Sequence, residues 1–195
     1  MADETDWSCR CGSVRARVDL HGSARVVCYC NFCQAFAHHT GAGDPLEKAG
    51  GTDLIQTVPE RLHFVAGGEH LRCLRLSRKG PLRCYVACCG SPLDITIARR
   101  SLPYLALIAA GIADRERLSP VQVRANLASA VGPVDTTRQR WAAVLLGIAR
   151  RTFSSWLSGG FRKTPFFDRD GKPTSPIERL RPEQKRAAFP TPKGS

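Results

Sequence analysis

The sequence lacks an apolar run long enough to cross a membrane. Its longest, at 102–113, is interrupted by Pro103 and Tyr104, and it falls short of the roughly 20 residues a spanning helix needs. The opening Met1-Ala2-Asp3-Glu4-Thr5-Asp6 is acidic and polar, unlike a secretory or transit leader, so a cytoplasmic, reducing location is expected. No internal repeat is evident, which argues against a solenoid or propeller. Acidic residues are few: 17 Asp and Glu stand against 29 Lys and Arg, for a formal net charge of +12. That surplus makes weak attraction to nucleic acid or an acidic membrane surface an expectation, although no nucleic-acid-binding signature accompanies it. With 43% hydrophobic and 24% charged residues, the chain is neither disordered throughout nor collagen-like. Its 195 residues allow one domain with an extension, or two small ones.

What the chain has in quantity is cysteine. There are nine, an odd number, so full pairing leaves one thiol over. Eight fall in three tight groups: Cys9-Arg10-Cys11-Gly12, Cys28-Tyr29-Cys30-Asn31-Phe32-Cys33, and Cys84-Tyr85-Val86-Ala87-Cys88-Cys89-Gly90. Spacing this short suits chelation, because sulfurs on one tetrahedral metal lie about 4 Å apart. Gly12 and Gly90 offer the positive φ that a sharp bend needs. Cys28, Cys30 and Cys33 supply three thiolates, which leaves a position for substrate. Cys9 and Cys11 supply two and need two more from the third group, which makes a closed structural site. Either His38 or His39 is a possible fourth ligand for the middle group. In the third group Cys89 is favoured, because Gly90 gives it the Cys-Gly context of Cys11. Cys88 joins it only if the backbone turns between the two, and Cys84 is the alternative. Cys73 reads as a small core hydrophobe. The spacing does not match the common ferredoxin runs, so Zn²⁺, one or two ions, is preferred over an iron–sulfur cluster.

Three stretches, Cys9-Arg10-Cys11-Gly12-Ser13-Val14-Arg15, Cys28-Tyr29-Cys30-Asn31-Phe32-Cys33 and Cys89-Gly90-Ser91-Pro92-Leu93, resemble the glutathione-dependent formaldehyde-activating enzyme family, which also includes centromere protein V. The resemblance covers about the first half of the chain. It implies a small, mostly β zinc-binding tent, with Cys9, Cys11 and Cys89 as structural ligands. It also implies a second, catalytic zinc on Cys28, Cys30 and Cys33, glutathione as co-substrate, and carbon–sulfur lyase chemistry. The family usually ends its last motif as Cys-x-x-Cys-Gly. Here Val86 stands three before Cys89, which marks a divergent branch and leaves Cys88 or Cys84 as the fourth structural ligand.

The expected fold is therefore a mainly β zinc-binding domain over 6–99, an α-helical extension over 100–160, and a basic, Pro-rich, partly disordered tail over 161–195. Within the first part, 13–19 alternates as a half-buried strand. Short strands are also expected at 25–27, 62–65, 71–76, 82–86 and 93–97. The Gly-rich segment 40–51 reads as a loop that could line a substrate pocket. Beyond residue 100, helices are expected at 103–113, from Ser119-Pro120 to 131, and within 136–157. The last is a basic amphipathic pattern, suited to the protein's own core, a membrane or a partner. Arg72 or Arg75 is a candidate for holding glutathione carboxylates. Two functions compete. One is a zinc-dependent lyase acting on an adduct of a small thiol with an aldehyde. The other is a non-catalytic structural zinc module whose basic C-terminal half binds a partner protein, a membrane surface or nucleic acid.

Overall fold

Alternation sets the first sheet. In β1 (Glu4–Ser8) Thr5 and Trp7 are buried, and in β2 (Arg15–Asp19) Ala16 and Val18 are buried while Arg15 and Arg17 face water, as period two requires. A third strand, β5 (Leu62–Ala66), completes a three-stranded sheet in the order β1-β2-β5. These elements come from a computed structural model, which describes residues 3–41, 46–137 and 139–189.

The larger sheet has eight strands. They are β3 (Ala24–Cys28), β4 (Thr52–Thr57), β6 (Leu71–Arg75), β7 (Leu82–Val86), β8 (Pro92–Thr96), β9 (Leu105–Ile108), β10 (Val123–Ala125) and β11 (Ile177–Arg179), in the order β10-β3-β4-β9-β8-β7-β6-β11. Both edges are closed by a parallel strand, β10 on β3 and β11 on β6. Every residue of β8 and β9 is buried, because both faces of the sheet are covered. One core joins it to the small sheet through Trp7, Val14, Val18 and Leu62 against Leu82, Leu105 and Leu107. The other holds Phe36 and Ala35 of α1 (Asn31–His39) against Leu54, Leu74, Ile95 and Ala106.

Several expectations beyond residue 100 are corrected. The apolar stretch 103–113 is not a helix but β9, followed by a short 3-10 turn at Ala109–Gly111. A short apolar run buried on both faces carries no period that separates strand from helix. The stretch 119–131 gives β10 rather than a helix. Asn126 adopts φ +60° there, and Leu127 and Val131 stay exposed. The helix within 136–157 does form, as α2 (Trp141–Leu157). The tail at 161–195 is built into the fold as far as residue 189. Phe166 and Phe167 enter the main core, β11 pairs with β6, and α3 (Pro182–Ala188) packs on α1, where Phe189 meets Phe32 edge to face at 5.3 Å. Residues 190–195 lie outside the described residues. The stretches 6–99 and 100–160 and the described part of 161–195 thus each contribute strands to the large sheet, since an open sheet edge is a template for a further strand.

Cys73 and Cys84 face each other across β6 and β7 and form a disulfide. This corrects two expectations: Cys73 is not a lone core thiol, and Cys84 is not available as a metal ligand. No helix among the described residues is long and apolar enough to cross a membrane.

Candidate metal centres

The first cysteine group is assembled by two turns, one from each sheet. Cys9 and Cys11 flank the turn between β1 and β2, where the Gly12 amide donates to the Cys9 carbonyl at φ +75°. Cys88 and Cys89 lie in the turn between β7 and β8, closed by the Gly90 amide on the Val86 carbonyl. Gly90 takes φ +69°, and a Cβ there would sit 2.2 Å from the Thr40 carbonyl oxygen, so only glycine fits. The backbone turns between Cys88 and Cys89, and both side chains reach the group. The sulfurs of Cys9, Cys11, Cys88 and Cys89 all lie within 4.8 Å of one another; Cys9 to Cys11 is 3.5 Å and Cys11 to Cys88 is 3.2 Å.

Without a cation these sulfurs cannot all ionise. Hydrogen bonds from the Ser13 side chain and backbone pull the Cys11 thiol down to about 6. Burial pushes Cys9 up, and the Cys11 sulfur pushes Cys88 up to about 12. The Val14 amide donates to the Cys9 sulfur at 3.3 Å, a contact that favours thiolate. Four sulfurs at this separation, with no carboxylate or imidazole among them, fit a closed tetrahedral Zn²⁺ site.

The second group is local. Cys28 ends β3, Cys30 caps α1 in extended geometry (φ −63°, ψ 148°), and Cys33 lies in the first turn. The Cys30 side chain accepts from the Cys33 amide at 3.4 Å, so the helix N-terminus supports a negative sulfur. The three sulfurs lie within 4.8 Å of one another. Hydrogen bonds from Cys28 and Cys33 drop the Cys30 thiol to about 2, with the Arg83 charge adding to the fall. The Cys30 contact pushes Cys28 up, and contacts with Cys28 and then Cys30, with burial, push Cys33 up. The Asn126 amide donates to the Cys28 sulfur at 3.3 Å.

Neither histidine joins this group. His38 Nδ1–H donates to the Ala188 carbonyl at 3.1 Å, and His39 packs edge-on against Tyr85. Among the described residues the group keeps three ligands. It opens on a cleft of about 990 Å³ on the α1 side of the large sheet, with Gln56, Arg83, Ile95 and Tyr104 in its lining and Trp141 at its wall. Arg75 borders the cleft. Arg72 instead donates to the Glu69 and Leu71 carbonyls. Of the loop at 40–51, residues 42–45 lie outside the described residues, and the remainder does not line this cleft.

Two features of the cleft escaped sequence reasoning. Arg83 is 5% exposed; its guanidinium lies 5.7 Å over the Phe32 ring and its Nε has no hydrogen-bond partner. The signal was there: a lone cation between Leu82 and Cys84 in a strand with both faces covered. Tyr104 is the other. Gln56 donates to its hydroxyl at 3.1 Å, and burial raises that hydroxyl to about 12, so it stays protonated.

Fold and sites together define a mostly β protein with two cysteine clusters, one of four sulfurs with Cys11 and Cys88 at the surface, and one of three that borders the cleft. Residues 1–178 match the family of unknown function DUF6151, and the chain belongs to that family. Among solved structures, a Rhodobacter sphaeroides protein determined as a structural-genomics target is similar at TM-score 0.42 and 18% identity, covering 61% of this chain and 98% of its own. No curated protein matches the chain.

Proposed function

We propose that the chain is a zinc-dependent enzyme of carbon–sulfur lyase type, acting on an adduct of glutathione or another small thiol with an aldehyde. The observation that carries this reading is the ligand count at the cleft: three sulfurs at its wall, against four in the other cluster. The likeness of the three cysteine motifs to the formaldehyde-activating enzymes supports it. Zinc held by Cys28, Cys30 and Cys33 would accept a thiol at its remaining position and keep it deprotonated.

The chain's own residues account for the rest. Arg83 offsets the excess negative charge of three thiolates and offers a guanidinium fork to a carboxylate. Tyr104, protonated and held by Gln56, offers a hydrogen bond to the adduct oxygen. Ile95, Ala106 and Trp141 keep the cleft apolar, which strengthens each polar contact made there. In the lyase direction the carbon–sulfur bond breaks and its electron pair stays on sulfur. The adduct hydroxyl gives its proton to solvent water as the carbonyl forms, so one thiolate, one aldehyde and one proton leave the adduct.

The test is metal stoichiometry of protein purified under reducing conditions, with and without glutathione. Two zinc ions per chain are expected, one of them labile to thiol. One tightly held zinc indifferent to thiol would leave only a structural module. A Cys30→Ser protein that binds as much zinc and turns over thiol–aldehyde adducts as well as the wild type would overturn the mechanism at this cluster.

A further inference from the structure

Helix α2 is docked by its less apolar side. Val144, Arg151 and Ser155 are its buried residues. Val144 and Ile148 meet Ala24, Val26 and Val123, and the Arg151 guanidinium donates to the Gly22 carbonyl at 2.6 Å. At 3.6 residues per turn, Trp141, Leu145, Trp156, Phe153, Leu146 and Leu157 fall on a neighbouring arc of roughly 160°. All six are between 46% and 74% exposed. They make up six of the eleven large hydrophobics exposed among the described residues. Ala142 and Ala149 fall within the same arc and are exposed. A face this apolar and continuous calls for an occupant.

The charge around it selects one. Residues 136–167 hold six Lys and Arg and no Asp or Glu. Arg140 at the N-cap of α2, Arg150 on the helix, and Arg162 and Lys163 just beyond it are exposed. A second copy would set two such stretches against each other, like charge on like. Nucleic acid would meet the cations but leave the leucines without an apolar partner. An anionic bilayer surface satisfies both, with hydrocarbon for the Leu and Phe side chains and headgroups for the cations. Trp141 and Trp156, near the two ends of the helix, are residues suited to the headgroup boundary.

We propose that α2 docks the protein on anionic lipid surfaces, lying in the interface with Leu145, Leu146, Phe153 and Leu157 inserted. The helix has 17 residues and lies on the bilayer rather than spanning it. Because Trp141 also lines the cleft, docking brings the cleft beside the membrane.

The experiment is co-sedimentation of the full chain with vesicles of phosphatidylcholine alone and of phosphatidylcholine with phosphatidylserine, read together with tryptophan emission. Trp7 is buried, whereas Trp141 and Trp156 are about half exposed, the latter with its indole N–H on the Ser101 carbonyl, so a blue shift on adding vesicles reports Trp141 and Trp156. Binding is expected to the phosphatidylserine vesicles and to weaken as salt rises. Leu145→Ser with Phe153→Ser should weaken it at least about tenfold, and Arg150→Gln about fivefold. All three positions are exposed, and unchanged circular dichroism checks that the variants fold. No binding and no blue shift with anionic vesicles at low salt overturns the proposal. So does binding that the serine pair leaves unchanged. A lipid-independent dimer that the serine pair abolishes, with no vesicle binding by the wild type, assigns the face to a second copy instead.

Discussion

The two cysteine clusters use one kind of ligand on two different kinds of backbone. The four-sulfur group joins a turn of the small sheet to a turn of the large one, with Cys11 and Cys88 77 positions apart. A cation there ties the two layers together and closes a long loop, which is where a cross-link stabilises most. The three-sulfur group spans only residues 28 to 33, from a strand end into the first turn of α1. A metal there ties together nothing that the chain does not already hold. It is free to exchange a ligand, and it faces the cleft. Sequence separation thus gives a bound cation different mechanical consequences in the two clusters: a long-range cross-link in one, a local one in the other.

The sharpest way to break this comparison is one serine in each cluster. Cys89→Ser should lose one metal ion per chain and about 4 kcal/mol, comparable to opening a long cross-linked loop. At this chain length that lowers Tm by about 10 °C. Cys30→Ser should also lose one metal ion, yet shift Tm by less than about 3 °C. Metal analysis with calorimetry reads both. Equal losses of stability would mean that both sites are structural.

A smaller effect separates Cys88 from Cys84. Cys88→Ser should reduce metal content. The pair Cys73→Ala with Cys84→Ala should keep it in full and lose about 3 kcal/mol, as for a short disulfide loop. Thiol titration of the unfolded, metal-free chain without reductant should find seven free cysteines, and reductant should raise the number to all nine. Nine from the start would show Cys73 and Cys84 to be reduced.

The clusters were legible in the sequence because chelation needs near neighbours, and Cys-x-Cys and Cys-x-x-Cys print that nearness directly. Gly12 and Gly90 marked the bends. Choosing Cys88 over Cys84 was not legible: it depends on which cysteine faces Cys73 across β6 and β7, a register the spacing does not encode. The first-half strands at 13–19 and 82–86 followed from alternation and short apolar runs. β9 and β10 did not, since Leu105–Ile108 is buried on both faces and has no period, and Val123–Ala125 is a strand because β3 offers it an edge. The basic, proline-rich composition after 161 suggested an open chain. Phe166, Phe167 and the free edge of β6 outweighed it. Arg83 stayed hidden because a single cation in a strand becomes a site residue only when a helix and a cleft cover that face.

Buried charge sharpens the comparison further, since Arg83 serves only the open cluster. Hydrogen bonds from Cys28 and Cys33 are the main reason the Cys30 thiol lies so low, and the Arg83 charge adds to them. Arg83→Met should therefore raise the apparent pKa of the metal-free three-sulfur group by less than about one unit, read as the pH midpoint of thiol alkylation. The four-sulfur group should titrate unchanged. A shift in both groups would point to a general loosening of the sheet.

An effect read only through pH tests the opposite face of the sheet. Asp94 on β8 pairs in register with Cys84 and with Leu107; it is fully buried, and neither carboxyl oxygen has a hydrogen-bond partner. Burial raises its pKa well above the ordinary carboxylate range, so the folded state keeps the proton that the unfolded chain gives up near about pH 4. Its contribution to stability is therefore present in full below that pH and is lost as pH rises toward the folded value. Asp94→Asn removes the ionisable group and keeps the shape. Urea unfolding from pH 4 to pH 8 should show the wild type falling behind the variant as pH rises, and drawing level with it at the acid end. Parallel curves would mean that Asp94 ionises in the folded protein, and that a cation reaches this face as Arg83 reaches the other.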